Sequence, residues 1–301
     1  MAGDNITITT GGLLTVNNNI DATNAGTTLN TVGLTNNATI RGLDGIIGVS
    51  VNAGTGTLTN NSLITNNSTA SPIKLLADDM DLVGGGGTIT AGSGLVTLSS
   101  STLWQSINIG AGATALGLSQ NEINTVHTTG QLTIGGSTHT GTITVDGNAN
   151  INNATAQTFL IQNQGGIVVN AQLTANAVGG PTINMDTPGS ITGNPVSGLI
   201  TADSYTIIQS GGIGSVAAPL KTNVNKLTAA NSVSGDLVID NQKSVTLVGQ
   251  FKNTAAGGKL WLSVTNGSID TGTVNVSTNN GQMILTASDT SGAAGNNAQI
   301  N

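Results

Sequence analysis

Residues 34–40 read LTNNATI and residues 58–64 read LTNNSLI, 24 positions later (58 − 34). Each copy runs an apolar residue, a threonine, paired asparagines and a second apolar residue before a turn. Looser versions continue as QLTIGG from Gln131, TITVDG from Thr142, DLVIDN from Asp236 and TVNVST from Thr273. A phrase of this size repeated down a chain marks a stacked, quasi-one-dimensional body, not a globule around one core. Such a body serves as a shaft or as a binding surface.

The apolar residues are almost all Leu, Ile and Val, often alternating with Thr or Asn at period two, which is the strand signature. From Asn5 to Ile64 these runs are separated by Gly or Asn turns, residue types that tolerate the positive φ a tight corner demands. Asparagines stacked on one another form hydrogen-bonded ladders, so the repeated corner asparagines read as structural. Parallel strands from successive coils pair about 4.8 Å apart and stack their inward Leu, Ile and Val in columns. The expected fold class is therefore all-β, a parallel β-helix (solenoid). At roughly 20–24 residues per coil the chain would make about 13–15 coils, a rod on the order of 60–70 Å long.

One β-helical repeat body is expected over residues 1–301. The start, MAGDNITI, lacks the charged and apolar regions of a signal peptide, and GNNAQIN ends the chain without an anchor. Both ends read as cuts through a longer array. Unpaired strands at such ends are an assembly route, so self-association end to end or laterally is expected.

Composition narrows the function classes. The chain is 37% hydrophobic, 2% aromatic and 7% charged, against about 25% charged in an average domain. Its mean hydropathy of +0.12 separates it from disordered chains, which combine low hydrophobicity with high charge. The formal net charge is −7, Arg41 is the single arginine, and the closest lysines are Lys221 and Lys226. That distribution excludes a nucleic-acid partner, which needs clustered cations to neutralise phosphate. No cysteine is present, which removes disulfides, thiolate metal sites and a cysteine nucleophile. No apolar run approaches the 18 residues of a membrane-spanning helix.

Two local motifs call for separate treatment. In ALGLSQNEINTV (115–126), Ser119 and Glu122 make an S-x-x-E capping box, and Leu118 can staple to Ile123. A short capped helix is expected near 119–126, inside a helical insertion over 115–129, and it must dock to be stable. Glu122, the single glutamate, is read as a cap and not as a catalyst. The tetraglycine at 84–87 is followed by Thr88, Ile89 and Thr90, not by Lys and Ser/Thr opening a helix, so it reads as a corner and not as a phosphate cradle.

Three longer phrases resemble filamentous-haemagglutinin-type bacterial repeat adhesins. They are GLSQNEINTVHTTGQLTIGGSTHTGTITVDG (117–147), GGIGSVAAPLKTNVNKLTA (211–229) and SVTNGSIDTGTVNVSTNNGQMILTASD (263–289). The resemblance covers roughly residues 115–301; the N-terminal third matches in style alone. It implies a right-handed parallel β-helix, secreted and displayed at the bacterial cell surface, often by two-partner secretion. The family's NPNG-like secretion motifs and its terminal toxin or anchor segments have no counterpart in these residues. The implied function is a structural, adhesive shaft segment that mediates attachment or fibre formation without catalysis or cofactor. Host or matrix glycans or proteins are the implied partners.

Rival functions rest on few residues. A β-helical polysaccharide lyase or hydrolase needs paired carboxylates about 5–10 Å apart, or acidic Ca²⁺ ligands with a basic catalyst. The candidates are Asp78, Asp79 and Asp81, with Asp203, Asp236 and Asp240 as outsiders. Asp79 and Asp81 alternate onto one face beside a single base, Lys74, and the cluster is read as a solvated acidic turn and a weak metal candidate. His127 and His139, 12 apart, lack metal-ligand spacing and are expected to face solvent. No G-x-S-x-G elbow occurs. An ice-binding face would need regular Thr ladders, but T-x-T pairs begin irregularly at Thr7, Thr57, Thr88, Thr140 and Thr271. Strand alternation points Trp261 away from Leu260, Leu262 and Val264, and points Trp104 away from Leu103, Ile107 and Ile109. Both tryptophans are candidate surface contacts for a sugar or a neighbouring molecule.

Overall fold

The computed structural model describes residues 5–43, 46–67, 70–111, 116–151, 157–175 and 179–288. The chain divides into two compact units, one of residues 1–142 with 151–162 and one of residues 143–150 with 163–301. Each is a parallel β-solenoid.

In the first unit the repeat phrase becomes a coil with one short strand on each of three faces. One face stacks Ile6–Thr9, Thr27–Asn30, Val49–Asn52, Ile73–Leu76, Val96–Ser99, Gln131–Gly135 and Thr158–Gln162, every neighbour parallel. A second face stacks Leu14–Val16, Leu34–Asn36, Thr57–Asn60 and Asp79–Asp81. A third stacks Ile20–Ala22, Ile40–Gly42, Leu63–Thr65, Thr88–Thr90 and Val126–His127. Alternation sends every second side chain inward, where Leu29, Val51, Leu75, Leu98, Ile134 and Ile161 follow one another in register. All six are fully buried, and each such burial stabilises by about 1.5–3 kcal/mol.

The second unit uses longer strands that turn corners. Thr182–Asp186, Leu199–Gln209, Leu220–Asn231, Val245–Ala256 and Val276–Asn279 stack in parallel, with register shifts after Met185, Leu227 and Asn253. These bulges let one strand serve two faces. Tyr205 is fully buried in this stack, its hydroxyl donates to Met185 Sδ at 3.1 Å, and burial pushes the phenol's pKa upward.

Seven coils in one unit and five in the other make about 12, fewer than the 13–15 expected. Coil length is the reason: Ile73 pairs with Val96, 23 residues on, but Val96 pairs with Leu132, 36 residues on. The long coil carries the helix Gln120–Ile123. Its capping box is complete: Ser119 Oγ accepts from Glu122 N, and Glu122 Oε2 accepts from Ser119 N at 2.8 Å. Glu122 is only 7% exposed, and Oε1 also accepts from Leu82 N at 3.4 Å, which docks the helix on an earlier coil. Among the described residues no helix is long and apolar enough to cross a membrane.

The corners are built by asparagine. Leu34 pairs with Leu58 and Asn36 with Asn60, and the buried Asn36 Nδ2 donates to Asn60 Oδ1 at 2.8 Å. Outside the coil, Asn61 donates to Asn37 Oδ1 at 2.8 Å and Asn37 to Asn17 Oδ1 at 3.0 Å. The second unit repeats the device: buried Asn231 Nδ2 donates to Asn253 Oδ1 at 3.1 Å and to Ser234 and Gly235 carbonyls, and its Oδ1 accepts from Gly212 N. Glycine is required where coils meet backbone to backbone. A Cβ on Gly87 would lie 1.9 Å from Asn60 O, and Gly48, at φ +54°, would put one 2.0 Å from Pro72 O. The tetraglycine is such a corner, a single 3₁₀ turn over Gly84–Gly86 with Gly85 at φ +56°.

The buried and exposed ladders carry different energies. Asn60→Ala strands the Asn36 amide in the core and should cost about 1–3 kcal/mol; Asn37→Ala, at the surface, should cost under about 0.5 kcal/mol. Urea unfolding of the two variants checks this, and equal costs would refute the buried ladder's structural role.

Candidate functional site

The carboxylates singled out from the sequence are all engaged in bonds that mostly run between neighbouring coils. Asp78 accepts from Thr102 N at 2.7 Å and from the Thr102 hydroxyl. Asp79 Oδ2 accepts from Thr57 Oγ1 at 3.0 Å, and Asp81 Oδ1 accepts from Gly84 N at 3.2 Å. Asp79 and Asp81 do share the exposed face of their strand, with Met80 buried between them. Asp236 accepts from Lys259 N at 2.9 Å, and Asp240 accepts from Ser263 Oγ at 2.9 Å and Thr265 Oγ1 at 3.1 Å. Asp203 accepts from Asn225 Nδ2 at 2.8 Å and pairs with Lys226 at 3.5 Å. The Asn225 hydrogen bond first, then the Lys226 charge, holds its carboxyl below the usual range. Arg41 grips Asp21 one coil back through both Nε and Nη2. Among the described residues no group of three or more histidines and carboxylates is placed to hold a metal ion.

Outward threonines form short columns. Thr15, Thr35 and Thr59 lie in register, but Asp81 follows Thr59; Thr7 and Thr28 are followed by Ser50 and Lys74.

The two tryptophans differ. Trp104 is 77% exposed, in a turn beside Leu103, which is itself 50% exposed. The turn, not strand alternation, sets its direction, because Leu103 does not face the core that Ile107 and Ile109 occupy. Trp261 alternates with buried Leu260, Leu262 and Val264. It is half-buried and lines a shallow concavity of about 80 Å³ with Val216, Pro219, Val238, Asp240 and Ser263. Its Nε1 is buried without a partner.

A larger concavity of about 380 Å³ opens on the outer face of the first unit's seven-strand stack. Its floor is the outward column Lys74, Thr97, Thr133 and Leu160, paired in register across four coils. Four coils at strand spacing span about 14 Å. Leu95 borders it on one side; residues 99–101, Leu103 and residues 135–139 border it on the other. No carboxylate lines it, although the chain holds 14.

His139 belongs to this wall. The sequence places it in a polar segment, where solvent exposure is expected, yet it is only 1% exposed. The turn responsible is closed by His139 N donating to Gly136 O at 3.0 Å, which folds the ring against Ser100. Ser100 Oγ donates to Thr102 O at 2.8 Å and lies 3.3 Å from His139 Nδ1. With its proton committed to Thr102, the hydroxyl accepts from Nδ1–H, which leaves Nε2 as a bare acceptor. Nε2 is buried and has no partner. Burial also pushes the imidazole below its ordinary pKa, so the ring is neutral near pH 7. His127, by contrast, is exposed on its strand. No sequence signal separates the two histidines, since the turn that buries one is set by coil stacking.

Comparison of the chain with protein-family models, with curated proteins and with solved structures finds no match. The chemistry of the groove therefore rests on its own residues.

A histidine that is neutral when folded but protonates when unfolded destabilises the fold in acid. Stability should start to fall as pH drops below about 6.5, the ordinary histidine value, and His139→Gln should flatten that fall. Urea midpoints at about pH 7.5 and about pH 5.5 measure it; an unchanged slope in the variant would mean the ring is not buried neutral.

Proposed function

We propose that this chain is a structural, adhesive shaft segment of a bacterial surface-exposed or secreted filamentous exoprotein of the filamentous-haemagglutinin type. It acts without catalysis. The observation that carries the reading is the use of its polar chemistry: Asp78, Asp79, Asp203, Asp236 and Asp240 each brace adjoining coils or corners, and the buried asparagines do the same inside. A solenoid whose ionisable groups hold coil to coil has the chemistry of a shaft. The three phrases at 117–147, 211–229 and 263–289 support the family assignment, and with it an extracellular or cell-surface location. Parallel stacking continues by adding strands, which supports self-association end to end, and lateral association belongs to the same proposal.

Small-angle X-ray scattering of the purified chain over a concentration series tests this, together with a reducing-sugar assay on pectin with added Ca²⁺. Rod-like particles that lengthen or bundle with concentration, and no release of sugar, are the expected result. Compact particles of constant size, or sugar release, would overturn it.

A further inference from the structure

The groove over Lys74, Thr97, Thr133 and Leu160 leaves polar chemistry unused. His139 Nε2 is a buried acceptor without a donor, and buried polar groups are almost always paired. It therefore marks a position where something from outside supplies a hydrogen. Because Nδ1–H is held by Ser100, that something must present an O–H or N–H.

The remaining lining narrows the class. Thr97, Thr133, Gln131 and Gln162 line the groove with hydroxyls and amides; Gln131 Nε2 donates to Thr133 Oγ1 at 2.9 Å, so that pair presents the Thr133 hydroxyl proton and the Gln131 carbonyl. Leu95 and Leu103 stand 39% and 50% exposed at the borders, apolar edges that would lie against C–H faces. Lys74 is the single charge and no carboxylate opposes it, in a chain of net charge −7. A volume of about 380 Å³ lies at the small end of ligand sites, about 300–1,000 Å³. A ligand rich in hydroxyls, with apolar C–H faces and one negative charge, matches every part of this wall.

We propose that the groove is a binding site for an acidic saccharide, a glycan carrying a uronate residue. One sugar hydroxyl donates to His139 Nε2, Lys74 meets the carboxylate, and the threonine and glutamine side chains bind the remaining hydroxyls. No bond is made or broken. The inference rests on the adhesive reading, and it gives that reading a place on the surface and a ligand class.

The test uses the full chain with its two histidine rings ¹⁵N-labelled and a glucuronate-containing disaccharide as probe, with cellobiose as the neutral control. The expected result is a shift of the His139 Nε2 resonance with the acidic probe, while the exposed His127 stays in place. Lys74→Gln should weaken binding severalfold. Thr97→Trp, an outward substitution that fills the floor, should abolish it with an unchanged circular dichroism spectrum. An unmoved His139 signal at saturating probe, with the wild-type fold intact, overturns the site and leaves the shaft reading standing. Equal response to cellobiose, or no effect of Lys74→Gln, overturns the acidic assignment. Binding followed by cleavage of the probe into new reducing ends would overturn the non-catalytic shaft reading and the binding-only site together.

Discussion

An amide side chain that turns into an apolar core must find a partner there, and in this chain the partner is commonly the same residue one coil away. Asn36 with Asn60 and Asn231 with Asn253 meet that demand at interior corners of the two units. Leaving either amide unpaired would cost about 1–3 kcal/mol, so the pairing fixes which residue of one coil sits over which of the next. Register then propagates. Once Asn36 sits over Asn60, Leu34 falls on Leu58 and Ile40 on Ile64, and the apolar columns close without further specification. Glycine is required where that register presses backbone on backbone, as at Gly87 against Asn60.

Much of this was legible in the sequence because a stacked fold writes its contacts as spacings. The 24-residue interval between LTNNATI and LTNNSLI is the coil itself, and its second asparagine position forms the outer ladder through Asn37 and Asn61. The capping box of Ser119 and Glu122 was equally readable, since both partners lie within one helical turn. What escaped was whatever depends on coils of unequal length. A fixed repeat length gives too many coils, because it misses the 36-residue step from Val96 to Leu132. The burial of His139 was hidden for a related reason: its ring packs on Ser100, 39 residues earlier, in a turn that no spacing rule reaches. Strand alternation likewise aimed Trp104 outward by a rule that fails at Leu103, where the chain is in a turn.

The acidic residues show how position decides meaning. Asp78, Asp79 and Asp81 look like a site when written side by side, yet each reaches a different partner: Thr102, Thr57 and Gly84. A carboxylate that accepts from a hydroxyl or amide of an adjoining coil is a brace, and its negative charge lies along the outer wall. The groove of the first unit is the complement, a stretch of that wall with one lysine and no carboxylate. Charge on this surface is thus organised by exclusion, and the asparagine and aspartate braces leave one polar acceptor, His139 Nε2, unmatched there.

The coil between Val96 and Leu132 holds one more consequence. It carries a helix and extra turns, yet Val96, Thr97 and Leu98 still meet Leu132, Thr133 and Ile134 in unbroken register. Strand pairing on this face is blind to what happens between its strands, provided the returning segment resumes its phase. Length can therefore be added at a corner without a structural toll on its neighbours, as a bead is threaded beside a seam. A lineage of such chains can change what it displays coil by coil while the scaffold stays the same, and an engineer could graft a foreign peptide at that corner for the same reason.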